Sequence, residues 1–211
     1  MPTSASGRGE GGGGVEHGRR ALVERLGREG EAHDARMAEH GRRMLHITPD
    51  TGEFLALLVR LGGAREILEI GTSDAYSTVF LGDAAEAQGG RVITVEKSAW
   101  KAGLARRTLL EAGLEDTVTL VPESIETFLP GLPDESVDFL FLDADRSGYA
   151  RYADGLARVL RPGGLWVTDN AVSHASEMEE LMRFASALDG WSRLLVPIGK
   201  GELLLLKPRL A

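Results

Sequence analysis

The sequence predicts a doubly wound α/β domain: a mostly parallel, seven-stranded sheet that ends in an antiparallel C-terminal hairpin strand. Three observations predict it. Between residues 66 and 168, short continuous apolar runs alternate with helical patterns, as in a parallel sheet covered on both faces. The run Ile67-Leu68-Glu69-Ile70 stops at Gly71 and a hydroxyl-rich turn, Thr72-Ser73-Asp74, that opens a helix. Two strand-like runs, 192–198 and 202–207, flank Gly199-Lys200-Gly201, a hairpin signal.

Taken in order, residues 1–16 carry Gly, Ser and charge, too little apolar surface to order themselves, and read as a flexible tail. Residues 17–211 read as one domain beginning with helices. Residues 19–45 have a helical but polar pattern with Leu22, Val23 and Leu26 on one side. Such a sparse apolar stripe suits a helix lying across the domain or against a second subunit. Thr48-Pro49-Asp50 starts the next helix, with Thr48 as cap and proline in the first turn. Phe54, Leu55, Leu58 and Val59 continue it, and Gly62-Gly63 stops it. The predicted parallel strands are 66–70, 91–96, 117–121, 137–142 and 165–168. The clearest helix between them, 98–112, puts Ala102, Ala105, Leu109 and Ala112 on one face and ends at Gly113. Ser176 with Glu179 reads as a capping box for the last helix.

The composition excludes several functions. A formal net charge of −8 over 211 residues argues against nucleic acid or anionic membrane as the main partner. Without cysteine there are no disulfides, thiolate zinc sites or cysteine nucleophiles. No apolar run approaches the ~20 residues that span a bilayer, and the start lacks a signal peptide's apolar stretch. The expected location is the cytoplasm.

The strand ends carry the chemistry. In an open α/β sheet, ligands bind beyond the carboxyl ends of the strands. Gly71 lets the backbone approach a ligand, and Glu69 is placed to accept hydrogen bonds. With one glycine in place of a GxGxxG, the turn favours a nucleoside ligand over a dinucleotide's pyrophosphate. Glu96, closing the second strand, reads either as the acceptor of both ribose hydroxyls or as a cap on the next helix. Phe141-Leu142-Asp143-Ala144-Asp145-Arg146 and Val167-Thr168-Asp169-Asn170 end the fourth and fifth strands. If those strands are neighbours, Asp143, Asp169 and Asn170 gather as hard oxygen donors suited to Mg²⁺, with Ca²⁺ or Mn²⁺ as alternatives. Each residue alone also reads as a helix cap or turn former.

From about residue 42 to 207 the chain resembles the metal-dependent S-adenosylmethionine O-methyltransferases related to catechol and caffeoyl-CoA O-methyltransferases, especially the small bacterial members. The resemblance rests on Ile47-Thr48-Pro49-Asp50-Thr51-Gly52-Glu53-Phe54-Leu55, Leu68-Glu69-Ile70-Gly71-Thr72 with Tyr76-Ser77, and Phe141-Leu142-Asp143-Ala144-Asp145. Leu160-Arg161-Pro162-Gly163-Gly164, Asp169-Asn170 and Pro197-Ile198-Gly199 continue it in order. It implies a Rossmann-like methyltransferase that moves a methyl group from S-adenosylmethionine to a hydroxyl of a small, catechol-like acceptor, with a divalent metal, as a homodimer. By the same resemblance Glu69, Gly71, Thr72 and Ser77 contact the cofactor's amino acid part, Glu96 its ribose, Ser124 its adenine and Asp145 its ammonium. Asp143, Asp169 and Asn170 bind the metal.

Three departures bear on the acceptor. Arg146 stands where relatives commonly carry a lysine, and arginine stays protonated. The metal alone then ionises the substrate, or His46 or His174 takes the proton, with Arg146 free to stabilise an oxyanion. Ala75 holds a position often occupied by glycine. The segment from Ala171 to Ser176 replaces a tryptophan-containing stretch. Two other readings stay open: an NAD-type oxidoreductase, and a catalytically drifted cofactor-binding protein.

Overall fold

The computed structural model describes residues 12–209, with side chains from residue 18. In this structure the apolar runs become strands β1 (Glu66–Ile70), β2 (Arg91–Val95), β3 (Val118–Val121), β4 (Val137–Leu142), β5 (Leu160–Thr168), β6 (Ser192–Val196) and β7 (Glu202–Leu206). They form one seven-stranded sheet in the order β3-β2-β1-β4-β5-β7-β6. β7 runs antiparallel to both neighbours, and all other pairs are parallel. The predicted fold class is therefore the observed one. The strand order reverses direction between β1 and β4, which opens a crevice at their carboxyl ends.

Alternation along each strand divides the core. Ile67, Phe139, Phe141 and Val167 face one layer with helices α1 (Gly12–Asp34), α2 (Pro49–Gly62), α3 (Tyr76–Ala87) and α4 (Ala99–Ala112). Leu68, Ile70, Leu140, Leu142 and Trp166 face the other, with α5 (Ile125–Phe128), α6 (Tyr149–Val159) and α7 (Glu179–Ala187). Apolar on both sides, these strands are continuous hydrophobic runs because water reaches neither face.

The helix caps follow the sequence. The Thr48 hydroxyl accepts from Thr51 N at 3.3 Å, and Gly63 ends α2 with φ 60°. Elsewhere the boundaries differ. Of the tail expected over residues 1–16, residues 1–11 lie outside the described residues, and from Gly12 the chain is already helical. The helix expected to reach residue 45 stops at Asp34, whose carboxylate accepts from Met44 N at 2.7 Å and Leu45 N at 2.8 Å. Those bonds fold residues 35–48 back over the strand ends, with a 3-10 turn at His40–Arg42. Leu22, Val23 and Leu26 are buried in the domain's own core, so α1 lies across the domain. β5 begins five residues early, at Leu160, with a register irregularity against β4. The capping box at Ser176 does not form: Ser176 sits in a 3-10 turn, Ala175–Met178, and α7 begins at Glu179 without a side-chain cap. Among the described residues no helix is long and apolar enough to cross a membrane.

Candidate active site

The register of the four central strands brings separate sequence signals into one row. Ile70 pairs with Val95 and Leu142, and Leu142 pairs with Thr168. The next residue on each strand is Gly71, Glu96, Asp143 and Asp169. Main-chain bonds continue through them: Gly71 N to Val95 O at 3.0 Å, Asp143 N to Ile70 O at 2.9 Å and Asp169 N to Leu142 O at 3.2 Å. A cavity of about 440 Å³ lies against this row. Gly71, Thr72, Ser77, Glu96, Asp143, Asp145, Arg146, Asn170 and His174 line it, as do Leu45, His46 and Lys200. Of the residues expected at a site, only Glu69, Ser124 and Asp169 are absent from that wall.

Gly71 is required by the crevice itself. Its φ is 102°, and a Cβ built there would fall on the Asp143 carbonyl oxygen. The turn that follows has Ser73 at φ 51° and Ala75 at φ 72°, so the alanine holds a left-handed conformation that glycine would adopt more easily.

Glu69 lies behind the wall rather than on it. Fully buried, it accepts from Ser77 Oγ and Thr78 Oγ1 at 2.5 Å each and from Thr94 Oγ1 at 2.6 Å. Its carboxylate thus ties the start of α3 to β2 beneath the cavity and holds Ser77, which lines it. Burial pushes the Glu69 carboxyl above its ordinary value, against the pull of the three hydroxyls. A buried acid of this kind binds its proton more tightly when folded. Its stabilising contribution is full below the ordinary glutamate value of 4.5 and is lost as pH rises toward the raised one. Glu69→Gln is therefore expected to flatten the fall in stability with rising pH relative to the wild type. Urea titrations of both proteins across pH 4–8 check this; parallel pH curves would refute it.

One end of the cavity is built from β2 and the loops beside it. Glu96 is buried and accepts from Ser73 N at 2.9 Å and Ser98 N at 2.8 Å, so it braces two backbones while lining the cavity. Both readings made for it from sequence are compatible with that geometry. The Ser124 hydroxyl caps α5, accepting from Thr127 N at 3.3 Å, and its neighbours Glu123 and Ile125 line the cavity instead. Asp145 caps a 3-10 turn: its carboxylate accepts from Ser147 Oγ at 2.8 Å and Ser147 N at 3.2 Å, and Lys97 Nζ lies 3.4 Å away. The Ser147 hydroxyl bond, followed by the others, holds Asp145 below the ordinary carboxylate range.

The proposed metal ligands do meet. Asn170, in the left-handed conformation at φ 71°, donates through Nδ2 to Asp143 Oδ1 at 3.1 Å and to Asp169 Oδ2 at 2.9 Å. Burial and the adjacent Asp169 carboxylate push the Asp143 carboxyl up, against the pull of Lys200 and Arg146. Asp169 Oδ1 is buried with no hydrogen-bond partner. A buried acceptor left unpaired beside a second acid costs free energy unless a cation or proton neutralises it. These donors fit a hard divalent ion, and a half-turn of the Asn170 amide would present its oxygen as a third donor. Among the described residues, no three His, Cys, Asp or Glu side chains are placed to hold a metal, so the set depends on that amide.

The basic residues differ in what they are free to do. Arg146 Nε donates to Glu177 at 2.7 Å, and both residues line the cavity. His46 is held by Asp74 at 2.7 Å and stacks on Tyr76 with ring centroids 4.4 Å apart. His174 bonds through Nδ1 to Ser173 Oγ at 2.8 Å. Sequence reasoning missed the His46–Asp74 pair, Lys200 and Glu202. Lys200 Nζ donates to His46 O at 3.0 Å and to Leu45 O at 3.4 Å, strapping the 35–48 segment to the β6–β7 turn. The signal for Glu202 was present: it is a lone acid at the head of four leucines.

The chain is similar to known proteins. A family model described as O-methyltransferase matches residues 31–202. A catechol O-methyltransferase of Niastella koreensis is 35% identical over 147 residues, covering 68% of this chain and 66% of that protein. One from Mycobacterium tuberculosis is 36% identical over 126 residues, covering 60% and 57%. The chain thus spans slightly less than two thirds of the first relative and little over half of the second. Among solved structures, an O-methyltransferase from Bacillus cereus in complex with SAH has a TM-score of 0.75 at 28% identity, covering 89% of this chain and 90% of that one. With a matched region that takes in Gly71, Glu96, Asp143 and Asp169 together, the chain belongs to the O-methyltransferase family.

Proposed function

We propose that this chain transfers a methyl group from S-adenosylmethionine to a hydroxyl oxygen of a small, catechol-like acceptor, assisted by a divalent cation. The observation that carries it is the meeting of Asp143, Asp169 and Asn170 at the β4 and β5 tips, where Asp143 and Asn170 line the same cavity as Gly71 and Glu96 and Asp169 lies directly behind them. Family membership sets aside the dinucleotide oxidoreductase as an alternative.

In this reading the Gly71–Thr72 backbone and Ser77 receive the amino acid part of the donor, and Glu96 receives its ribose hydroxyls. Asp145 serves its ammonium group, with Lys97 as the competitor it must release. Asp143, Asp169 and Asn170 hold the cation, which when bound favours the ionised form of a chelated hydroxyl. Much of the acceleration comes from holding the two reactants in near-attack contact. Arg146 cannot take the acceptor's proton; in this reading its fixed positive charge steadies negative charge on the acceptor oxygen. Of the two imidazoles, His174 suits proton acceptance better. His46 has Nε2 engaged with Asp74, and its other edge packs against Gly30, where a Cβ would find no room. The expected homodimer draws support from large apolar side chains in the open, Leu57 and Leu61 on α2 at 51% and 75% exposure.

The test is turnover of S-adenosylmethionine with a panel of vicinal diphenols, before and after chelation with EDTA. A monomethyl ether is expected, formed at a rate that EDTA abolishes and Mg²⁺ restores. Undiminished turnover after chelation would refute the metal's part. Donor binding without methylation of any diphenol would favour the drifted protein.

A further inference from the structure

Glu202 is a buried acid that the proposed chemistry leaves unused. It opens β7 with no exposed surface, ahead of Leu203, Leu204, Leu205 and Leu206. Oε1 accepts from Thr51 Oγ1 at 3.3 Å, and Thr51 Oγ1 in turn accepts from Thr48 Oγ1 at 3.1 Å. Oε2 has no partner. Because Leu203 pairs with Thr168 on antiparallel strands, Glu202 stands level with Asp169 across the β5–β7 pair. Asp169 Oδ1 is likewise buried and unpartnered.

Packing alone does not account for this residue. A leucine would extend the apolar run of β7 and remove the cost of an enclosed carboxyl. Anchoring α2 to β7 would use only the oxygen that meets Thr51. The remaining oxygen is matched by the one on Asp169 that also lacks a partner. Burial and the two nearby acids push the Glu202 carboxyl far up, as expected for an acid enclosed beside others. Groups that orient a metal-binding side chain from behind commonly do so through hydrogen bonds. Here Thr48, Thr51 and Glu202 are joined in one set and Asp169, Asn170 and Asp143 in another, with one unpartnered carboxyl oxygen in each.

We propose that Glu202 is a positioning residue for the cation site, backing Asp169 so that its carboxylate is held in a fixed direction beside Asp143 and Asn170. The inference rests on the cation reading of that site. The test measures Mn²⁺ affinity by electron paramagnetic resonance on the full chain, with SAH affinity by calorimetry as the check on folding. Glu202→Leu is expected to weaken Mn²⁺ about 10- to 100-fold while leaving SAH affinity unchanged. Glu202→Gln keeps polar atoms for both Thr51 and Asp169 and is expected to stay within about threefold of the wild type. Wild-type Mn²⁺ affinity in Glu202→Leu would overturn the role of Glu202 alone. Absence of Mn²⁺ binding in the wild type would overturn the cation reading and this role together. Should Glu202→Leu not fold, Thr51→Val removes the hydroxyl that holds Oε1; a several-fold weaker Mn²⁺ affinity is expected, and an unchanged one overturns the proposal.

Discussion

Gly71→Ala is expected to destabilise the protein by at least about 3 kcal/mol and to abolish SAH binding. Two independent effects act together. The backbone at φ 102° lies where an L side chain is strained, and the added methyl would fall on the Asp143 carbonyl oxygen. That oxygen belongs to main chain held by the β1–β4 ladder through the Asp143 N to Ile70 O bond. It cannot yield without moving the tip of β4, and Asp143 and Ala144 with it. A flexible side chain would give way at small cost; a sheet backbone does not. Urea denaturation measures the stability loss and calorimetry the binding. A variant within about 1 kcal/mol of the wild type that still binds SAH would show that the crevice can widen and that the β1–β4 contact is not close-packed.

Much of this site was legible because the strands end abruptly. Apolar runs that stop at Gly71, Glu96, Asp143 and Asp169 marked the carboxyl edge of a sheet, and spacing told where each strand ended. That they form one row depends on the registers Ile70↔Val95, Ile70↔Leu142 and Leu142↔Thr168, which a single sequence does not encode locally. Glu69 shows the limit. An acid before a strand-end glycine reads as a ligand contact, yet its oxygens are spent on Ser77, Thr78 and Thr94, the last brought in by strand pairing. Asp34 shows another. The helical pattern runs on past it, and what ends α1 is a carboxylate turning back to two amides ten and eleven residues later. Glu202 escaped because an acid next to a glycine turn reads as surface, whereas β7 is an interior strand between β5 and β6.

Asp169→Asn is expected to move stability and activity in opposite directions. In the cation-free protein Asp169 is an enclosed carboxylate whose charge disfavours ionisation of both Asp143 and Glu202. Asparagine keeps the shape and removes that repulsion, so the variant is expected to melt a few degrees higher, corresponding to roughly 1 kcal/mol for a domain of this size. Activity is expected to fall. Losing one of two anionic donors weakens the hold on the cation, whose effect on the acceptor's ionisation amounts to several kcal/mol. At about 1.4 kcal/mol for each factor of ten, kcat/KM should drop by roughly 10²- to 10³-fold. Melting curves with and without Mg²⁺ separate the two effects: the cation should raise the melting temperature of the wild type and leave the variant's unchanged. A variant that is both less stable and equally responsive to Mg²⁺ would mean that Asp169 is a structural hydrogen-bond acceptor for Asn170. The cation would then have to be held without β5, and the meeting of the two strand tips would no longer support metal-assisted methyl transfer.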